Sequence, residues 1–286
     1  MKRRWLCVAA LFLLIGILPG CIQMENMKKE QDLETTASEE IPDPGTIISE
    51  DRDWYTKRNE TYLVLVNKTH PVSDAYNPET DAYCLEPLKT LTAWIKQDGR
   101  EQKLEGRTLR ALDAMLRTMQ ADGIAGVYVT SSHRTLAYQE RLFDTYYKSE
   151  KGSSVQTKEV IDCLGTEYIR SQYLAQGKAF LTDEDAEKVA NYYSAKAGQS
   201  EHHTGLCVDL MTDGMKELDE TFSNTAAFAW LSENAYRFGF ILRYPKGKES
   251  ITGYCYEPWH YRFVGAEVAS EIWARGITLE EYLEVN

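Results

Sequence analysis

Ser200-Glu-His-His-Thr-Gly-Leu-Cys-Val-Asp209 and, downstream, Glu257-Pro-Trp-His260 hold three of the chain's five histidines and three carboxylates. Leu206, Val208 and Leu210 alternate with Cys207 and Asp209, the period of a half-buried strand that carries Asp209 on the face away from its apolar side chains. His202 lies seven residues before Asp209. An odd separation puts two side chains on opposite faces of a regular strand, so the chain must turn between them. Gly205 is the natural place for that turn. Pro258 cannot continue a central ladder, so a kinked strand end is expected between Glu257 and His260. Both segments then point into one cleft.

The residue types suit one kind of chemistry. A catalytic zinc takes three protein ligands from His, Cys, Asp and Glu and leaves a fourth position for water. A nearby carboxylate is needed to take a proton from that water. His202, Asp209 and His260 can supply the ligands, and Glu257 the base. A lone histidine is more often a surface or satisfied core residue; two motifs with complementary roles make a metal site the better reading. His203, adjacent to His202, is expected to point away and to be structural.

Outward from these motifs, Thr61–Val66 is rich in β-branched and aromatic residues and reads as a first strand. Leu109, Leu112, Leu116 and Met119 recur at helical spacing, with Gly123 closing the helix. Val127–Thr130 reads as a short strand running into Ser131-Ser-His-Arg134, and a helix follows through Tyr138, Leu142 and Tyr146. Arg134 therefore falls at a strand-to-helix junction. The pattern weakens from Lys148 to Leu181, as in an insertion forming one wall of the cleft. Thr182 opens a helix to about Ala195, Asn224 is expected to cap another ending at Phe238-Gly239, and Phe240–Tyr244 reads as a strand. Terminal helices are expected at Ala266–Arg275 and Leu279–Leu283. Both element types occur without βαβ alternation, which argues an α+β fold with helices around a small, largely antiparallel sheet.

The N-terminus is separate. Lys2-Arg3-Arg4 precede an apolar run from Trp5 to Leu18, shorter than the ~20 residues of a membrane span, and Leu18-Pro-Gly-Cys21 follows. This looks like a bacterial lipoprotein signal with Cys21 as the lipidated residue; an uncleaved anchor from Trp5 to Ile22 is the alternative. Either reading places the domain outside the cytoplasm, on the outer face of the cell membrane. From Glu25 to Asp53, ten acidic residues face three basic ones without an aromatic, a composition that cannot order itself. The expected division is residues 1–21 leader, 22–58 disordered acidic tether and 59–286 catalytic domain. A formal net charge of -12 argues against nucleic acid as a partner.

The motifs resemble those of VanY-type D-alanyl-D-alanine carboxypeptidases, within the LAS group of zinc peptidases. SEHHTGLCVD matches the family's Ser-x-His-x-x-Gly-x-x-x-Asp signature and EPWH its Glu-x-x-His. Ser131-Ser-His-Arg-Thr-Leu-Ala-Tyr-Gln139 is similar to its Ser-Gly-Tyr-Arg-Ser segment followed by Gln. The resemblance runs from about Tyr62 to the C-terminus. It implies zinc on His202, Asp209 and His260, with Glu257 as general base. Arg134 would hold the substrate's C-terminal carboxylate, with Ser131, Gln139 and Ser200 near the bound peptide. It further implies removal of D-alanine from peptidoglycan stem peptides; a monomer is expected. An L,D-carboxypeptidase or an L-alanyl-D-glutamate endopeptidase keeps the same chemistry on another bond, and a non-catalytic wall-binding domain is the distant alternative. No Gly-x-Ser-x-Gly supports a serine hydrolase. In two places the chain departs from the family pattern: Cys207 stands where Ala is usual, and Ser132-His133 replaces Gly-Tyr.

Cys84, Cys163, Cys207 and Cys255 are an even number in a compartment that permits disulfides. Cys207 and Cys255 each precede a site carboxylate by two residues. If both segments are strands in one cleft, a Cys207–Cys255 bridge is expected, with Cys84 left for Cys163 or both free.

Overall fold

The computed structural model describes residues 57–72, 85–87, 94–95 and 101–285. The expected leader, Cys21, the tether up to residue 56 and Cys84 lie outside the described residues. Among the described residues no helix is long and apolar enough to cross a membrane.

Strands β1 (Leu85–Pro87) and β3 (Lys103–Glu105) form an antiparallel pair. The main sheet contains β2 (Trp94–Ile95), β4 (Val127–Ser131), β5 (Cys207–Thr212), β6 (Phe240–Leu242) and β7 (His260–Phe263). Its order is β2-β4-β5-β7-β6, antiparallel except for the parallel β2–β4 pair. The fold is α+β with a small, largely antiparallel sheet, as the lack of βαβ alternation implied.

One face of the sheet is its core side. Leu206, Val208 and Leu210 of the β5 segment, Val127 and Val129 of β4, and Tyr261 and Phe263 of β7 pack in one cluster. Helix α1 (Gly106–Ala121) covers them with Leu109, Leu112, Met115 and Met119. Each such side chain contributes about 1.5–3 kcal/mol on full burial. Glu105 starts α1 by accepting from the backbone N–H groups of Arg107 and Thr108, which would otherwise be orphaned donors. Pleating sends the alternate residues, Cys207 and Asp209 of β5 and His260 and Arg262 of β7, to the opposite face.

Helix α2 (Leu136–Glu150) follows β4, and the 148–181 region folds as α3 (Lys158–Leu164) and α4 (Thr166–Gln172). This insertion has a small core of its own. Val155, Val160, Ile169, Tyr173 and Leu181 bury against Ala186 and Val189 of α5 (Asp183–Tyr193).

Three expectations need correction. Residues 61–66 are not a strand: Glu60–Tyr62 is a 3-10 turn capped by Asn59, and the chain then runs on irregularly. Tyr62, Leu63 and Val66 are buried, but the carbonyls of Tyr62 and Val64 accept from Arg262 Nη2, each at 2.9 Å, in place of a neighbouring strand. Secondly, Thr225, not Asn224, caps α6 (Ala226–Asn234), because Asn224 closes the preceding 3-10 turn. A further 3-10 turn, Ala235–Phe238, carries the chain to Gly239, which adopts φ +80. Thirdly, Cys207 and Cys255 are free thiols, as is Cys163. The residue opposite Cys207 in β7 is Arg262. Cys255 lies in the loop before that strand, its N–H donated to Tyr192 O, so the two thiols do not face each other across a ladder.

Candidate active site

The site is built at the C-terminal end of β4, the start of β5 and the start of β7. Gly205 takes a left-handed conformation, φ 69, and folds the 3-10 turn Glu201–Thr204 back over β5. That reversal brings His202 to Asp209, Nε2 to Oδ2 3.2 Å. Asp209 pairs directly with His260 in the ladder, and its Oδ1 lies 3.0 Å from His260 Nδ1. Glu257 sits in the loop before β7, Oε2 3.6 Å from His260 Nδ1; its N–H is held by Tyr244 O, and its carbonyl accepts from His260 N–H. All four predicted chemical residues therefore meet in one place. His202, Asp209 and His260 are buried, while the Glu257 side chain keeps 12% exposure toward the cleft.

The rings are held from behind. His202 Nδ1 lies 2.6 Å from Ser132 O, which makes Nδ1 the protonated nitrogen and leaves Nε2 facing Asp209. His260 Nε2 lies 3.5 Å from Glu201 Oε2. Glu201 is fully buried; its Oε1 accepts from Arg243 Nε and Arg262 Nη1, both at 2.7 Å. Arg243 then forks onto Glu280 at 2.7 and 2.8 Å. Burial opposes the charge on Glu201, but Arg243 and Arg262 outweigh it and hold the carboxyl well below the usual range. This backing was missed in the sequence. Its only signal is that Arg243 and Arg262 interrupt apolar strand runs, where an unpaired charge would be prohibitive.

Among Glu201, Asp209 and Glu257, only Glu257 has a pKa that moves upward. Burial raises it to about 7, aided by the neighbouring Asp209 charge and opposed by His260, His202 and Arg134. His203, by contrast, accepts from Gly198 N–H through Nε2 at 3.1 Å and donates from Nδ1 to Arg134 O at 2.7 Å. Burial keeps it neutral, with a pKa lowered to about 4. Its part is to fix the Arg134 backbone.

A bulge between Val129 and Ser131 aligns Ser131 with Asp209. Arg134 reaches back along this edge: Nε donates to Ser131 Oγ at 2.8 Å, Nη1 to Gln139 Oε1 at 3.2 Å and Nη2 to Asp209 Oδ2 at 2.8 Å. Gln139 is anchored in turn on Ala195 O. Ser200 caps the turn that carries His202, accepting from its N–H. Ser131 and Gln139 are buried supports of Arg134, whereas Arg134 and Ser200 line the cleft. His133 is not among the lining residues; its N–H goes to Lys103 O.

The cleft has a volume of about 1020 Å³, ample for a short peptide. His202, Asp209, Glu257 and His260 lie on its floor; Tyr146 and Glu150 of α2, Lys158 of α3 and Tyr192 of α5 stand among its walls. The insertion does form one wall, as its weak pattern suggested.

The residues present fit a zinc ion. Two imidazoles and a carboxylate are the ligand types zinc takes at a catalytic site. Asp209 lies 3.2 Å from His202 Nε2 and 3.0 Å from His260 Nδ1, and each histidine has a polar atom behind the nitrogen that faces away.

Comparison with known proteins gives the family. A family model described as VanY: D-alanyl-D-alanine carboxypeptidase matches residues 101–266, and the chain belongs to that family. The D-alanyl-D-alanine carboxypeptidase of Enterococcus faecalis is 32% identical over 227 residues, covering 79% of this chain and 67% of that protein. A solved vancomycin resistance D,D-pentapeptidase VanY from a VanB-type cassette, in complex with Zn(II), is 32% identical with a TM-score of 0.54, over 78% of this chain and 99% of that one. The LdcB LD-carboxypeptidase, whose structure is described as revealing peptidoglycan recognition, is 30% identical with a TM-score of 0.58, over 80% and 89%.

Proposed function

We propose that this peptidase is a zinc-dependent D,D-carboxypeptidase that removes the terminal D-alanine from peptidoglycan stem peptides. The observation that carries the proposal is the convergence of His202, Asp209, His260 and Glu257 on the floor of a cleft that also holds the Arg134 guanidinium. Zinc on the first three residues supplies a Lewis acid for the scissile carbonyl and lowers the pKa of water. Glu257 takes the proton from the attacking water and returns it to the leaving amine. The products are free D-alanine and a peptide one residue shorter. Arg134 sets the exopeptidase register, because a planar guanidinium matches a terminal carboxylate. Ser131 and Gln139 hold that guanidinium in place, and Ser200 holds His202.

A second reading, L,D-carboxypeptidase activity on tetrapeptide stems, is favoured by the likeness to LdcB. Both readings use the same metal, base and arginine and differ in the stereochemistry of the residue before the cleaved bond. Incubating the protein with pentapeptide and tetrapeptide stems and weighing the products separates them. Loss of one alanine from the pentapeptide alone supports the D,D reading. Loss from the tetrapeptide alone overturns it in favour of the L,D reading. The enzyme would work outside the cytoplasm, held at the membrane through lipid on Cys21 or an uncleaved anchor. Detergent-phase partitioning of the full chain, lost on Cys21→Ser, tests the lipid.

A further inference from the structure

The face of β5 that carries Asp209 also carries Cys207, two residues earlier, and the zinc reading gives Cys207 no role. Its place is set by the ladder: Asp209 lies opposite His260 and Cys207 opposite Arg262, so Cys207 is the diagonal neighbour of His260. The Gly205 reversal lays His202 over the same spot, and the two imidazoles meet edge to face with centroids 5.0 Å apart. Ligand atoms of His202, Cys207 and His260 all lie within 4.8 Å of one another, and all three residues are buried. Cys207 itself is 0% exposed and does not line the cleft, whereas Glu257 does.

We infer that His202, Cys207 and His260 form a second donor set, beside the His202–Asp209–His260 set on the same face of the sheet, that takes soft divalent cations such as cadmium. Exchanging a carboxylate oxygen for a sulfur turns a borderline site into a thiophilic one, because thiolate selects soft metals where carboxylate selects hard ones. Binding releases the thiol proton to solvent. The two sets share both histidines, so one ion excludes the other, and a soft cation held on the thiolate displaces zinc from the catalytic set. The inference rests on the zinc reading only through this competition; the thiolate set stands on its own geometry.

Cadmium titration of the metal-free protein under reducing conditions tests it. The expected result is an ultraviolet sulfur-to-cadmium charge-transfer band that saturates at one cadmium per chain. The band should be lost in Cys207→Ser and Cys207→Ala and kept in Cys163→Ser and Cys255→Ser. Cadmium affinity should fall at least tenfold in Cys207→Ala. Should the Cys207 variants not fold, X-ray absorption of the cadmium-loaded Cys163→Ser/Cys255→Ser protein decides: sulfur together with nitrogen neighbours supports the set, and nitrogen and oxygen neighbours alone overturn it. A band unchanged in Cys207→Ser also overturns it. Zinc content of the same samples separates the two readings. A wild-type protein that binds zinc but shows no cadmium band loses the thiolate set and keeps the catalytic one.

Discussion

Glu257 and the two histidines at 202 and 203 show how finely roles divide at the scale of single residues. Glu257 lies 3.6 Å from His260 Nδ1 and is buried enough to raise its pKa to about 7, yet it faces the cleft. Glu257→Gln keeps the shape and removes the proposed base. We expect it to retain zinc and fold while losing ~10²–10⁴-fold in turnover, the contribution typical of general acid–base catalysis. Metal analysis beside a steady-state rate checks this, and near wild-type turnover would make Glu257 structural. His202 and His203 are neighbours with opposite outlooks. His202 turns Nε2 to Asp209, whereas both ring nitrogens of His203 are engaged by backbone groups of Gly198 and Arg134. His202→Ala should therefore lose zinc, and His203→Ala should keep most of it. Equilibrium dialysis against zinc distinguishes them; full occupancy in His202→Ala would contradict the ligand assignment.

At the scale of elements, the site depends on reversals that glycine makes possible. Gly205 returns His202 over β5, and Gly239 delivers the chain from the 3-10 turn into β6. A Cβ on Gly239 would meet Phe263 Cε2 at 2.6 Å and the Gly265 backbone at 3.1 Å. With φ at +80 as well, Gly239→Ala should cost at least about 1–2 kcal/mol for the left-handed backbone alone. A urea titration should show a lower midpoint; an unchanged midpoint would mean that the backbone relaxes there. The turns, α1, β4, β5 and the terminal helices were legible in sequence because their signals are local: apolar period, caps and glycines. Residues 61–66 misled for a physical reason. Their composition records burial and β-branching, but not which group satisfies the backbone, and here a guanidinium from residue 262 does so. The Cys207–Cys255 pairing failed because β5 and β7 run antiparallel: Asp209 lies opposite His260 and Cys207 opposite Arg262, so the residues before His260 extend away from Cys207.

At the scale of the whole molecule, long-range charge pairing ties the site to the C-terminal helices. Glu201 beside His202, Arg243 after β6, Arg262 in β7 and Glu280 in the C-terminal helix Leu279–Val285 form one buried network. These partners are separated by up to 61 residues, which is why the contiguous ligand motifs were readable and their support was not. Arg243→Met leaves Glu201 and Glu280 under-compensated and should cost about 3–5 kcal/mol. Arg117→Ala, which breaks a pair with Asp113 near the surface, should cost at most about 1 kcal/mol. Equal losses on denaturation would deny the network its part in stability. The central claim joins metal, cleft and arginine into one activity, and one assay addresses all three. A stem pentapeptide ending in D-alanyl-D-alanine, as the free acid and as its C-terminal amide, is incubated with zinc-loaded and with chelator-stripped protein, and the products are weighed. The account predicts loss of one alanine from the free acid, little from the amide, none without metal, and recovery on adding zinc. Equal cleavage of acid and amide, or cleavage by the stripped protein, would contradict it.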